Sequence, residues 1–107
     1  MHPQVKDFLH KYVNEFKQLG IKIDALILFG SQARGTATIS SDIDIAVVMN
    51  EPLNPEERGC LLSLGDEIDM SLATNLFFTT SDAINNAVRD LDTNNSIRKE
   101  GVVLWEA

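Results

Sequence analysis

Apolar residues repeat along the chain at two different spacings, and the changes between them outline its helices and strands. Near the N-terminus they recur every three or four residues, the spacing of one face of an amphipathic helix: Val5, Phe8, Leu9, Tyr12, Val13, Phe16 and Leu19. Pro3 suits the first turn of such a helix and Gly20 its C-terminal cap, so this segment is predicted to be helical.

Two nearly continuous apolar runs follow, Ile23–Phe29 and Ile43–Met49. Runs of this kind are typical of strands that are buried on both faces, so both are predicted to be central strands. Between them, Ser31–Arg34 could form a short helical turn, and Gly35–Ser41 is rich in Gly, Thr and Ser and is predicted to be a loop.

A second helix is indicated by its N-terminal signals. Asn54 can cap it, Pro55 suits its first position, and Glu57 completes a capping-box-like pair. We expect this helix to run to about Leu64.

The last third of the chain predicts shorter elements. Glu67–Leu72 alternates between apolar and polar residues, which predicts a half-exposed third strand. Ser81 is expected to cap a weaker helix over Asp82–Arg89, and Asn94–Glu100 is expected to add a helical turn. Val102–Trp105 is predicted to be a short final strand or tail.

The order of these elements, α-β-β-α-β-α, predicts an α/β (α+β) fold with a small mixed β-sheet of three to four strands packed with helices. A length of 107 residues fits one domain over residues 1–107. No apolar run approaches the roughly 20 residues that cross a bilayer, and the N-terminus lacks the apolar region of a secretory signal. No membrane contact is therefore expected. Cys60 is the only cysteine, which excludes an internal disulfide and, together with the missing signal, favours a cytoplasmic location.

The charge balance argues against one class of partner. The formal net charge is −7 and the pI is near 4.6, and the basic residues occur singly or in small groups. Phosphate contacts need clustered Lys and Arg, so direct nucleic-acid binding is not expected. The negative charge could serve solubility or attract a basic protein partner, and composition does not choose between the two.

Candidate chemistry is concentrated where the two central strands meet the loop between them. Asp42 and Asp44 stand at the beginning of the second strand, and residues two apart in a strand point to the same face. Gly30 and Ser31 form a turn at the end of the first strand. Paired carboxylates beside a Gly-Ser turn favour a site for a metal ion and a phosphate, because Mg²⁺ binds through a few carboxylates plus substrate phosphates.

A third acid could complete this site. Asp69 lies on the polar face of the predicted third strand, and its neighbours Ile68 and Met70 alternate with it as in a strand. Asp66 and Glu67 lie nearby and stay open as alternatives. Three acids could hold a pair of Mg²⁺ ions, which would stabilise the attacking and leaving oxygens of a phosphoryl transfer.

The spacing of these residues resembles a known signature. The run Gly-Ser-Gln-Ala-Arg-Gly over residues 30–35, followed by Ser-Asp-Ile-Asp over residues 41–44, resembles the GSxxRG…SDxD motif of minimal nucleotidyltransferases in the DNA polymerase β-like superfamily. The ending Ile-Arg-Lys-Glu-Gly-Val-Val-Leu, residues 97–104, also resembles the final helix and strand of that family. The resemblance implies the nucleotidyltransferase fold.

The resemblance also implies roles for individual residues in binding nucleotide. Gly30 and Ser31 would bind the triphosphate of ATP or another nucleoside triphosphate, and Ser41 would assist in nucleotide binding. Arg34 would contact phosphate or a partner.

The acids take the metal-binding and catalytic roles of that motif. Asp42 and Asp44 would ligate Mg²⁺, with two ions expected. Asp69 would be the third carboxylate, acting as a metal ligand and as the base that activates the acceptor hydroxyl.

Small members of this family resemble the MNT half of toxin–antitoxin modules, whose other half is a HEPN-domain protein. The resemblance thus implies an antitoxin that transfers AMP from ATP to a tyrosine hydroxyl of a HEPN partner. An alternative is a non-catalytic module that neutralises its partner by complex formation alone. A third reading, transfer to a small molecule such as an aminoglycoside, would require a pocket built with a partner or second copy, because the chain has no room for an additional domain.

Overall fold

The computed structural model describes residues 3–35, 42–68, 74–89 and 91–107. The elements in chain order are α1 (Pro3–Gln18), β1 (Ala25–Phe29), α2 (Gly30–Arg34), β2 (Ile43–Met49), α3 (Pro55–Ile68), β3 (Thr74–Thr80), α4 (Ser81–Asn85), α5 (Thr93–Glu100) and β4 (Val102–Glu106). The predicted mixture of helices with a small mixed sheet is confirmed. Of the described helices, none combines the length and the apolarity that crossing a membrane requires.

Residue contacts divide the chain into two compact units. The first comprises Met1–Lys22 and Leu53–Leu72, and the second comprises Ile23–Pro52 and Ala73–Ala107. The helices α1 and α3 belong to the first unit, whereas the sheet and the other helices belong to the second.

In the first unit, α1 packs against α3 through the apolar face that the sequence predicted. Tyr12 lies at the middle of this face, stacked on Phe8 at a centroid distance of 5.4 Å and edge-on to Phe16 at 5.7 Å. All three rings are buried. The Tyr12 hydroxyl donates a hydrogen bond of 3.2 Å to the carbonyl oxygen of Leu61 in α3, so the one polar atom of this cluster is satisfied.

The predicted capping box of α3 is confirmed. The Asn54 side chain accepts a hydrogen bond from the backbone N–H of Glu57 at 2.8 Å, and the Glu57 carboxylate accepts one from the N–H of Asn54 at 3.3 Å. The predicted end near Leu64 is wrong, because α3 continues to Ile68. Leu61, Leu64 and Ile68 repeat at helical spacing, and the first two are buried.

The second unit is built on a mixed four-stranded sheet with the order β3-β2-β1-β4. The β1 strand pairs antiparallel with β2 and with β4, whereas β2 and β3 run parallel. Both apolar runs therefore form the central strands, as predicted, although β1 begins at Ala25 rather than Ile23. The β2 strand has the predicted bounds and is buried from Ile45 to Met49.

One face of this sheet carries the core of the second unit. Ala46 and Val48 of β2 are buried together with Ile84 of α4 and Ile97 of α5. Partly buried side chains of the neighbouring strands pack against this cluster: Ala25, Ile27, Phe29 and Phe77. Asp44 precedes Ala46 by two residues, so it stands on the same face of β2.

The prediction of the third strand was wrong. Glu67 and Ile68 belong to the last turn of α3, and the strand that pairs with β2 is Thr74–Thr80. The other residues of the predicted strand, 69–72, lie outside the described part of the chain, and Asp69 is among them. The alternation on which its choice rested is absent at Ile68, because that residue is helical.

The C-terminal elements depart from the prediction only at their ends. The helix predicted over Asp82–Arg89 ends at Asn85. The predicted cap Ser81 is wrong, because Ser81 is the first helical residue and the cap is the Thr80 side chain, which accepts from the N–H of Ala83 at 3.1 Å. The predicted helical turn is α5, and the final segment is a strand, β4, paired to β1.

Candidate active site

The acid pair stands where β2 begins. Asp42 immediately precedes the strand and is exposed, whereas Asp44 is its second residue and is half-buried. The two side chains share the face of β2 that continues into Ala46 and Val48. The acid pair therefore stands at the start of a strand whose residues other than Asp44 are all buried.

A side-chain amide from the neighbouring strand joins the two carboxylates. Asn75 is the register partner of Asp44 in the parallel β2–β3 pair. Its Nδ2 donates to Oδ2 of Asp42 and to Oδ1 of Asp44, each at 3.1 Å. The two carboxylate oxygens consequently lie within about 6 Å of each other, since both contact one nitrogen.

Gly30 brings the end of β1 close to the carboxylate of Asp44. Its φ is +74°, and a Cβ placed on it would collide with Oδ2 of Asp44 and lie 3.2 Å from Cγ. Both the left-handed backbone and this close approach require glycine. The turn predicted from Gly30 and Ser31 therefore lies directly beside Asp44.

The turn continues into the short helix α2. Ser31 is its second residue and is partly exposed. Arg34, in its last turn, donates to Oε2 of Glu100 in α5 at 2.9 Å, and Gly35 ends the helix at a φ of +73°. The salt bridge ties the Gly-Ser turn to α5.

Aromatic side chains flank the acids on the core side. Phe29 is the register partner of Asp44 across the β1–β2 pair, and Phe77 follows Asn75 by two residues. The two rings pack edge to face with centroids 6.4 Å apart. The carboxylates thus have an apolar wall behind them and face solvent on the other side.

The donor set fits a divalent cation that prefers oxygen ligands. Asp42 and Asp44 supply carboxylates, and Asn75 carries an amide that also has a carbonyl oxygen. The missing Cβ of Gly30 lets the Asp44 carboxylate lie directly against the end of β1. Within the described ranges, no group of three or more His, Cys, Asp or Glu side chains is placed to hold a metal ion.

The structure brings together part of the predicted site. Gly30, Asp42 and Asp44 converge, whereas Arg34 is paired with Glu100. Ser31 follows Gly30 in α2, and the other two predicted residues, Ser41 and Asp69, lie outside the described residues.

Sequence reasoning missed Asn75. The signal for it was a polar residue near the start of the apolar segment Leu76–Phe78. That signal points to Asp44 only once the bounds of β3 and its parallel register are known.

Comparison with known proteins identifies the family to which this fold belongs. The Polymerase beta, nucleotidyltransferase family matches residues 6–107 of the chain. A curated protein of Methanocaldococcus jannaschii, named "Putative protein adenylyltransferase MJ0126", is 37% identical over 51 residues. That match covers 48% of this chain and 51% of the relative, so the chain spans about half the length of that protein.

Solved structures share the fold. One chain of a toxin–antitoxin complex crystallised with AMP-PNP superposes with a TM-score of 0.63 at 23% identity, covering 95% of this chain and 73% of that one. A chain from the complex of tri-AMPylated Shewanella oneidensis HEPN toxin with MNT antitoxin gives a TM-score of 0.52 at 21% identity, covering 94% and 73%. With the family match spanning nearly the whole sequence, the chain belongs to the Polymerase beta nucleotidyltransferase family.

Proposed function

We propose that this protein transfers a nucleoside monophosphate, AMP from ATP, to a hydroxyl group and releases pyrophosphate. The observation that carries the proposal is the convergence of Asp42 and Asp44 with Gly30 at one end of the sheet. A protein that acted only by binding its partner would not require two carboxylates held side by side at the start of a buried strand.

In this proposal Asp42 and Asp44 hold Mg²⁺, with Asp69 as the third carboxylate of a two-ion site. When bound, the metal would neutralise phosphate charge during the transfer. Gly30 permits close approach of the triphosphate, and Ser31 offers it a hydroxyl and a backbone N–H.

The reaction is a substitution at the α-phosphorus of ATP. The acceptor hydroxyl oxygen forms a bond to that phosphorus while the bond to the bridging oxygen of the β-phosphate breaks. Asp69 is proposed to take the hydroxyl proton, and pyrophosphate leaves. Ser41 and Arg34 are proposed to contact the nucleotide phosphates.

The proposed acceptor is a tyrosine of a HEPN-domain toxin, for which this protein would be the cytoplasmic antitoxin. Two observations support it: the fold is shared with chains of toxin–antitoxin complexes, and the curated relative is named a protein adenylyltransferase. The net charge of −7 suits a basic partner surface.

The proposal is tested by incubating the protein with its HEPN partner, Mg²⁺ and ATP labelled in the adenosine moiety. We expect label on the partner with the wild type and loss of at least about a hundredfold with Asp42→Asn/Asp44→Asn. Equal labelling by the two proteins would contradict it.

The alternative function is neutralisation of the partner by complex formation alone. It predicts that the doubly substituted protein still inhibits the partner at stoichiometric concentration. Under the catalytic proposal, inhibition persists after the wild-type antitoxin has been removed, and the substituted protein leaves no lasting inhibition.

A further inference from the structure

The side chain of Asn75 has an unusual position between the carboxylates. Both hydrogens of its amide nitrogen are used by Asp42 and Asp44. Neither of these hydrogen bonds involves its carbonyl oxygen Oδ1. The nitrogen thus stands at the point from which both carboxylate oxygens can be reached at equal distance.

Two neighbouring carboxylates attract an electropositive group to such a point. The amide hydrogens supply only partial positive charge, whereas a divalent cation supplies two full charges. A cation bound there would repel the amide hydrogens and attract the carbonyl oxygen of the same group. The oxygen and the NH₂ group of a side-chain amide have nearly the same size, so rotation about the last side-chain bond exchanges their positions within the same space.

We propose that Asn75 is a further ligand of the cation held by Asp42 and Asp44, to which it presents Oδ1. In the cation-free protein the same side chain donates to both carboxylates and holds them together. This inference rests on the proposed function, because it assumes that the acid pair binds a divalent cation. Neutral side-chain carbonyls are regular ligands of hard divalent cations.

The placement of Asn75 on a strand supports this role. The residue is fixed opposite Asp44 by the parallel ladder that joins Ile45 to Leu76 and Ala46 to Phe77. Phe77, two residues further on the same face, packs on Phe29. The amide can therefore turn about its own side-chain bond while its backbone stays in place.

The test measures Mn²⁺ binding to the nucleotide-free protein by isothermal titration calorimetry. The Asn75→Leu variant keeps the approximate size of the side chain but has neither a donor nor an oxygen ligand. We expect it to bind Mn²⁺ about tenfold more weakly than the wild type. Asn75→Asp, which replaces the amide with a carboxylate, is expected to bind at least tenfold more tightly.

A matched control separates ligation from general charge. Asn85→Asp adds the same charge at an exposed position of α4 and is expected to bind Mn²⁺ as the wild type does. Circular dichroism of each variant in the presence of a chelator checks folding. Should Asn75→Leu fail to fold, Asn75→Asp still decides the question.

A second readout follows the amide itself. The side-chain ¹⁵NH₂ signals of Asn75, identified by their absence in Asn75→Leu, are expected to shift on Mg²⁺ addition as the hydrogens leave the carboxylates. In Asp42→Asn/Asp44→Asn, Mg²⁺ should leave these signals unchanged.

The outcomes distinguish this inference from the function on which it rests. If Asn75→Leu binds Mn²⁺ as well as the wild type, or Asn75→Asp binds no more tightly, Asn75 is only a hydrogen-bond donor and the inference is overturned. If instead Asp42→Asn/Asp44→Asn binds Mn²⁺ undiminished, the acid pair is not the metal site and the proposed function fails with it. Absence of Mn²⁺ binding by the wild type overturns the inference, while labelling of the partner remains a separate test of the transfer.

Discussion

At the scale of single residues, the site depends on small distances around Asp44. Gly30 lies so close to one of its carboxylate oxygens that a Cβ would collide with it, and Asn75 donates to the other oxygen. The positions of Gly30, Asp42 and Asp44 were predictable because their spacing is local to one strand–turn–strand segment. The part played by Asn75 was not, since it depends on the register between strands that are far apart in sequence.

Gly30 offers a matched comparison with Gly35. Both have a φ near +74°, but a Cβ on Gly35 would meet nothing within 4 Å, whereas one on Gly30 would collide with Asp44. Replacing either glycine by alanine should cost about 1 kcal/mol of backbone strain. Only Gly30→Ala should also displace Asp44 and reduce the proposed adenylyl transfer by at least about tenfold.

Urea unfolding and the labelled transfer assay measure the two effects of these glycine substitutions separately. Equal transfer by Gly30→Ala and Gly35→Ala would show that the close approach of Gly30 to Asp44 is not needed for the reaction.

At the scale of elements, the helix α1 was predictable from its long helical period, and the strands β1 and β2 were predictable from their nearly continuous apolar runs. The third strand was not, since Glu67–Leu72 is short and its alternation competes with helical spacing. Ile68 continues the face formed by Leu61 and Leu64, so α3 takes the residue. The true strand, Thr74–Thr80, has only three consecutive large apolar residues between polar ones, which makes its period ambiguous.

The contact between α1 and α3 predicts a dependence of stability on alkaline pH. Burial raises the pKa of Tyr12 well above its usual value of 10.0. Above about pH 10 the unfolded chain loses the phenolic proton while the folded chain keeps it. This contribution to stability is therefore complete below pH 10 and falls by up to about 1.4 kcal/mol per pH unit above it.

Tyr12 is the only tyrosine, so phenolate absorbance reports on it alone. Unfolding free energies from urea titrations between about pH 9 and pH 11 should fall more steeply for the wild type than for Tyr12→Phe. At neutral pH that variant should lose about 1 kcal/mol with the hydrogen bond to Leu61. Parallel pH profiles for both proteins would refute the role of Tyr12.

The salt bridge between Arg34 of α2 and Glu100 of α5 predicts an effect on nucleotide binding. Arg34 and Glu100 are both partly exposed, so their salt bridge should contribute less than about 1 kcal/mol to stability. If Arg34 contacts nucleotide phosphate, Glu100 competes for it. We therefore expect Glu100→Gln to bind AMP-PNP more tightly and Arg34→Gln to bind it more weakly, by a few-fold each.

Calorimetric titration of AMP-PNP into the wild type and these two variants measures the change in affinity. Unchanged nucleotide affinity in both would assign the Arg34–Glu100 pair a structural role only.

At the scale of the whole molecule, the sheet order β3-β2-β1-β4 explains why the candidate site lies where it does. The two central strands present their adjoining ends, Phe29 and Ile43, on either side of the Gly-Ser turn, and β3 adds Asn75 at the same end. The contacts divide the chain into two units, and all described site residues belong to the second of them. The single domain expected from the length stays a prediction.

The overall charge predicts which partners the protein avoids. With a net charge of −7, it should show no measurable affinity for RNA or single-stranded DNA at physiological salt. Fluorescence anisotropy of a labelled oligonucleotide measures this, with bovine serum albumin as an acidic control protein. Binding that weakens steeply with added salt would contradict the expectation, because it would reveal a basic surface that composition hides.

The central claim is that the acid pair at the start of β2 transfers AMP to a partner protein. The most direct measurement is the intact mass of the proposed HEPN partner after incubation with this protein, ATP and Mg²⁺. We predict that the partner gains the mass of one or more adenylyl groups with the wild type, and none with Asp42→Asn/Asp44→Asn or with a chelator present. An unchanged mass in a mixture where the wild type still inhibits its partner, or equal modification by the substituted protein, would contradict the claim.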